Sequence, residues 1–171
     1  MAVVTTNSTQ ITNNRAAPPV KNDVNHSGAR KRVKSETISS VSTDSNTSQY
    51  HFFKVKAHDS IKSIKLFNDS LAASAATIDV GIYAEGLAGA AVDINCYGSA
   101  IAMNTAVTVG TEIRFESLNI TTVNQAVWED AGVSTEPDAG TEYDFVVTVL
   151  ARGTTPATGD ITLIVEYVAG D

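Results

Sequence analysis

The first forty-eight residues contain no Phe, Trp, Tyr or Leu, and from Tyr50 onward apolar residues recur at the spacing of β-strands. YHFFKVK and IKSIKLFN (Ile61–Asn68), split by the turn AHDS, read as two strands. In ATIDVGIYA (Ala76–Ala84), Ile78, Val80 and Ile82 alternate with Thr77, Asp79 and Gly81, the pattern of a half-buried strand. INCYGSAIAM is ambiguous between strand and short helix. VTVGTEIRFES places Ile113 and Phe115 on one strand face and Glu112, Arg114 and Glu116 on the other. The two strongest strands are TEYDFVVTVLA, with Tyr143, Phe145, Val147 and Val149 on one face, and DITLIVEYVA, with Ile161, Leu163, Val165 and Tyr167. The polar stretch RGTTPATG between them reads as a long hairpin loop.

One helix is predicted, in TTVNQAVWEDAGVSTEP. Thr122 is its expected N-cap with Gln125 three residues on, and Gly132 suits a left-handed residue after its last turn. Seven or eight short strands with one short helix define an all-β chain, an antiparallel β-sandwich or jelly roll. The expected division is an extended N-terminal arm over 1–48 and the sandwich over 49–171. The arm has too little apolar surface to offset its ordering entropy when alone, and Pro18 and Pro19 keep it extended. VKSETISSV (Val33–Val41), rich in β-branched residues, is the exception and reads as an edge strand or one completed by a partner. Fully extended, the arm reaches about 160 Å.

Composition sharpens this division. Of the 171 residues, 43% are hydrophobic, enough for a core. No apolar run is long enough to span a membrane, and the start lacks the pattern of an export signal. Net charge is −7, but residues 1–65 carry ten of the twelve Lys and Arg against four acids, while 66–171 carry fifteen acids against Arg114 and Arg152. A basic arm on an acidic domain is suited to meeting an acidic surface. The densest run of cations is ARKRVK, with Arg30, Lys31, Arg32 and Lys34. With Arg15 these are the candidate partner-binding residues. No aromatic residue interleaves with them, so an ionic clamp onto acidic protein fits better than direct binding of nucleic acid.

Catalytic motifs are missing: there is no G-x-S-x-G, no phosphate-binding loop and no H-E-x-x-H. His26 lies in the arm, and His51 and His58 lack the further ligands of a metal site. Cys96 is the single cysteine, so no intramolecular disulfide forms. Glu129, Asp130, Glu136, Asp138, Glu142 and Asp144 fall close together in sequence, without the spacing of a calcium-binding loop. A solvated acidic rim is the preferred reading. Neither an enzyme nor a bound cofactor or metal is expected.

The opening MAVVTTNSTQITN followed by APPV, then IKSIKLFNDSL, TIDVGIYAEG, AVWEDAGVSTEPDAGTEYDFVVTV and a final apolar strand, resembles in its order the capsid decoration, or cement, proteins of tailed bacteriophages. The resemblance implies a β-rich virion protein on the outer capsid surface, bound to the major capsid protein and reinforcing the shell. It also implies self-association, with three copies favoured. The alternative is a carbohydrate-binding or receptor-binding module of a phage fibre. Only 6% of the chain is aromatic, which leaves few exposed rings for sugar stacking.

Overall fold

The computed structural model of the chain describes residues 8–21, 30–86 and 89–170. The chain divides into two units, Met1–Arg30 and Lys31–Asp171. His26 and part of the expected extended arm lie outside the described residues. In the first unit, α1 (Thr9–Arg15) is a seven-residue helix where the sequence predicted extended chain. Ser8 nucleates it: its hydroxyl accepts from Ile11 N at 3.3 Å, satisfying an N–H that the first turn leaves orphaned.

The second unit is a sandwich of eight strands: β1 (Lys31–Ser40), β2 (Gln49–Lys56), β3 (Ser60–Asn68), β4 (Ala72–Ala84), β5 (Ala91–Ala102), β6 (Val107–Glu112), β7 (Glu142–Pro156) and β8 (Gly159–Val168). One antiparallel sheet has the order β1-β8-β3-β6 and the other β2-β7-β4-β5. Consecutive strands alternate between sheets, except β4 and β5. This is jelly-roll wiring. The core lies between the sheets. Ile61, Ile64 and Leu66 of β3 and Ile161, Leu163 and Val165 of β8 face Ile78, Val80 and Ile82 of β4 and Phe145 and Val147 of β7, all essentially without solvent exposure. Phe145 stacks on Phe53 and on Tyr97, each with ring centroids 5.2 Å apart.

Several local expectations are corrected. The expected arm ends earlier: the edge strand anticipated over Val33–Val41 is present as Lys31–Ser40, part of the sandwich, with ten consecutive residues in antiparallel register with β8. It looks arm-like because most of its side chains are exposed. RGTTP is not a loop: β7 continues to Pro156, pairing Thr154 with Ser74 and Pro156 with Ala72. Nor do β7 and β8 form a hairpin, since they lie in opposite sheets and bury their apolar faces across the core. The ambiguous INCYGSAIAM lies within β5 and the loop that follows it. β4 is buried on both faces from Ile78 to Tyr83, because β5 bulges across its outer side.

The predicted helix is shorter and starts later. Asn119 caps a single 3-10 turn, Ile120–Thr122, and the Thr122 hydroxyl donates back to Asn119 O at 2.6 Å instead of capping a helix. The α-helix proper, α2 (Val127–Asp130), begins where Val127 N and Trp128 N donate to Asp59 O and Ala57 O in the β2–β3 turn. Glu129 accepts from Ala126 N at 2.8 Å and closes its first turn, and Gly132 takes φ 65° after its end.

Candidate functional site

The predicted cations do not act as one knot. Arg15 is the last residue of α1, and Arg30 closes the first unit. Lys31 points outward from β1 and pairs with Glu166 on β8. Arg32 and Lys34, two residues apart, share the other face of the strand. There they meet two lysines that sequence reasoning did not select, Lys54 and Lys56 of β2. The four line a cleft of about 260 Å³, with Asp59 and Glu142 as its acidic members.

The cleft lies where the edge strands β1 and β2 of the two sheets run side by side. Lys34 spans that seam. Its ammonium donates to Lys54 O and sits 5.3 Å from the ring centroid of Tyr167 and 5.9 Å from that of Phe53. Lysine suits the position because its apolar stem covers ring surface while its charge lies over ring faces. Lys54 is held by Glu85, and its Nζ lies 3.7 Å from Glu142. Its ammonium is pushed above the ordinary lysine range by the hydrogen bond to Glu85. Asp59 is committed to the backbone: it accepts from Lys56 N at 3.0 Å and Gly170 N at 3.2 Å. Arg32 and Lys56 are exposed and have no anionic partner among the described residues. In the sequence, Lys54 and Lys56 showed only as the polar alternation of YHFFKVK. Their meeting with Arg32 and Lys34 depends on two edge strands of different sheets coming together, which no local pattern encodes.

The acidic stretch 129–144 disperses into separate structural roles. Asp130 is buried beside Arg114, with Oδ2 3.0 Å from Nη2. Asp144 accepts from Gly86 N and lies 3.0 Å from His51 Nδ1. His58 Nε2 donates to Pro137 O at 3.0 Å, so the two histidines engage different partners. Among the described residues, no group of three or more His, Cys, Asp or Glu is placed to hold a metal ion. Cys96 is buried, and burial pushes its thiol far above the ordinary range, so it is not a reactive thiolate.

Arg114 is the second surprise. The sequence placed it on a strand face with Glu112 and Glu116, but it is fully buried, just past the end of β6. Nε donates to Ile61 O at 3.1 Å and Nη2 to Thr122 O at 3.3 Å, and the guanidinium lies 5.4 Å from the Tyr97 ring centroid. Tyr97 in turn donates to Asp130 Oδ2 at 3.2 Å. The group ties β3, β5, the β6–α2 link and α2 together at one end of the sandwich. Nothing about it opens to a ligand.

No protein-family model matches the chain, and no curated protein does. Among solved structures it is similar to a chain of the capsid asymmetric unit of cyanophage Pam1, at 19% identity and a TM-score of 0.54, covering 96% of this chain and 97% of that one. A chain from the capsid of Ralstonia phage GP4 follows at 18% identity and a TM-score of 0.49, covering 85% and 88%. One from the capsid of Helicobacter pylori bacteriophage KHP30 has 11% identity and a TM-score of 0.40, covering 84% and 95%. The first likeness is one of fold: the same jelly roll is traced nearly from end to end.

Proposed function

We propose that this chain is a structural protein of a phage virion that binds the outer surface of the capsid and reinforces the shell. One observation carries the reading. The fold extends along nearly the whole length of a chain found in a phage capsid asymmetric unit, with 96% and 97% of the two chains aligned. The anatomy supports it. A sandwich with a deeply buried core is linked to a separate unit at residues 1–30, which suits a clamp. The partner is the major capsid protein, and three copies associate where capsid subunits meet. Many weak contacts repeated around a shell add up through effective concentration. The reading contains no catalytic step.

The test is co-sedimentation of the purified protein with capsid shells that lack it, followed by imaging of the decorated shells. The expected result is saturable binding, density on the outer surface and shells that resist heat or denaturant better than bare ones. A protein that stays in the supernatant at all concentrations, or density confined to the shell interior, would refute the reading.

A further inference from the structure

We propose that the cationic cleft between β1 and β2 binds the exposed acidic loop of a second copy of this chain, through Glu136 and Asp138. The inference does not rest on the virion reading, because it follows from charges that one copy leaves unpaired.

The cleft gathers four cations against two acids, and one of those acids, Asp59, is already bound to backbone N–H groups. Arg32 and Lys56 have no anionic partner among the described residues, although the unit they belong to is acidic. Edge protection accounts for part of this. An inward-pointing charge on an edge strand discourages pairing with other sheets, and Lys34, tucked over Tyr167 and Phe53, fits that role. It does not explain why Lys56, on the other sheet, stands beside an equally unpaired Arg32.

The complementary surface is the loop 132–141. Glu136 is 70% exposed, and the His58 ring nitrogen Nδ1 lies 3.8 Å from its carboxylate. Asp138 is exposed, and its carboxylate has no partner among the described residues. The loop is held in place beneath them: Pro137 O accepts from His58, Thr141 N donates to Asp138 O at 2.9 Å, and Val133 N donates to Trp128 O at 3.0 Å. Two carboxylates are therefore presented on a fixed backbone, which lowers the entropy lost on binding. Cleft and loop stand at the same end of the sandwich, since the β2–β3 turn supplies Asp59 to one and His58 to the other. Within a single chain they do not meet. Arg32 offers a planar fork that matches a carboxylate in two hydrogen bonds, and Lys56 adds a mobile point charge. A cleft on one copy and a loop on the next make a heterologous contact, which closes into a ring where the rotation between copies permits.

Charge reversal tests this on the full chain, with sedimentation velocity across a concentration series at low and physiological salt. The parent should self-associate, more weakly as salt rises. R32E/K56E and E136K/D138K should each lower the association constant by about tenfold or more. The quadruple variant should recover association, as should an equimolar mixture of the two double variants, because each then offers a surface the other lacks. All substituted side chains are exposed, so melting temperatures should be unchanged. If a reversed variant fails to fold, R32Q/K56Q and E136Q/D138N supply the neutral comparison and should also weaken association. A parent that is monomeric at every concentration would overturn the proposal. So would double variants that associate like the parent, or a mixture that restores nothing.

Discussion

Arg114 and Asp130 show how a single buried pair constrains this fold. Both side chains are inaccessible, and the guanidinium also bonds two carbonyls, so deleting one partner strands a charge in the core. Asp130→Ala is expected to cost about 3–5 kcal/mol of stability in urea unfolding, while Lys65→Ala, at an exposed site on β3, should cost almost nothing. Burial pushes the Asp130 carboxyl up to about 6 even with Arg114 beside it. Its pKa in the folded state is therefore above that of the unfolded chain, so the folded state holds a proton that the unfolded state releases between about pH 4 and 6. The stability this group contributes is fully present below about pH 4 and is lost as pH rises to about 6. The loss is on the order of 2–3 kcal/mol, with no further change above. Asp130→Asn cannot titrate. Stability measured from pH 4 to 7 should therefore fall in the parent relative to the Asn variant, and equal slopes in the two would show that Asp130 titrates normally in the fold.

At the level of elements, β5 crosses β4 at close backbone contact. Four residues of β5, 94–97, stand opposite Gly81 alone, between the pairs Val80–Gly98 and Ile82–Asp93. A Cβ on Gly81 would lie 2.1 Å from Asp93 O and 2.4 Å from the Ile94 carbonyl carbon, both backbone atoms that cannot rotate away. Gly81→Ala should therefore cost at least about 1–3 kcal/mol by overpacking, seen as a lower melting temperature. The same crossing explains a limit of the sequence pattern. Alternation in TIDVGIYA identified a strand correctly, but a two-residue period says nothing about a second layer folding over the polar face. β3, β7 and β8 were legible because each has an apolar face that the core absorbs. β1 was harder to place because Lys31 to Thr37 expose nearly every side chain and hold their place through backbone pairing with β8. The sheet that each strand joins was not legible, since β7 and β8 choose partners far off in the chain, from Ala84 with Tyr143 to Lys31 with Val168. The cationic cleft inherits that limit. Arg32 and Lys34 stood out as a basic run, whereas Lys54 and Lys56 belong with them only once β1 and β2 lie side by side.

For the whole molecule, the division at Arg30 and Lys31 decides how the proposed clamp is to be tested. Cutting at residue 48, where aromatic residues begin, would remove β1 and expose the edge of β8 along ten residue pairs. It would also remove Ser40 and Val41, which accept from Arg152 Nη1 and Nη2 at 2.7 Å each, and leave that buried guanidinium without either partner. Loss of shell binding in such a variant would then reflect a damaged sandwich as much as a missing arm. Deleting residues 1–30 keeps every strand and every cleft cation. This truncated chain should melt within a few degrees of the full one, whereas the 1–48 deletion should melt far lower or aggregate through its newly open edge. If the first unit carries most of the capsid affinity, the 1–30 deletion should stay in the supernatant when shells are sedimented, while still self-associating through cleft and loop. Full-strength decoration by the 1–30 deletion would instead assign the affinity to the sandwich. In that case the R32E/K56E variant, made in the truncated chain, should lose decoration together with self-association, because weak single-copy contacts hold on a shell only when neighbouring copies hold one another.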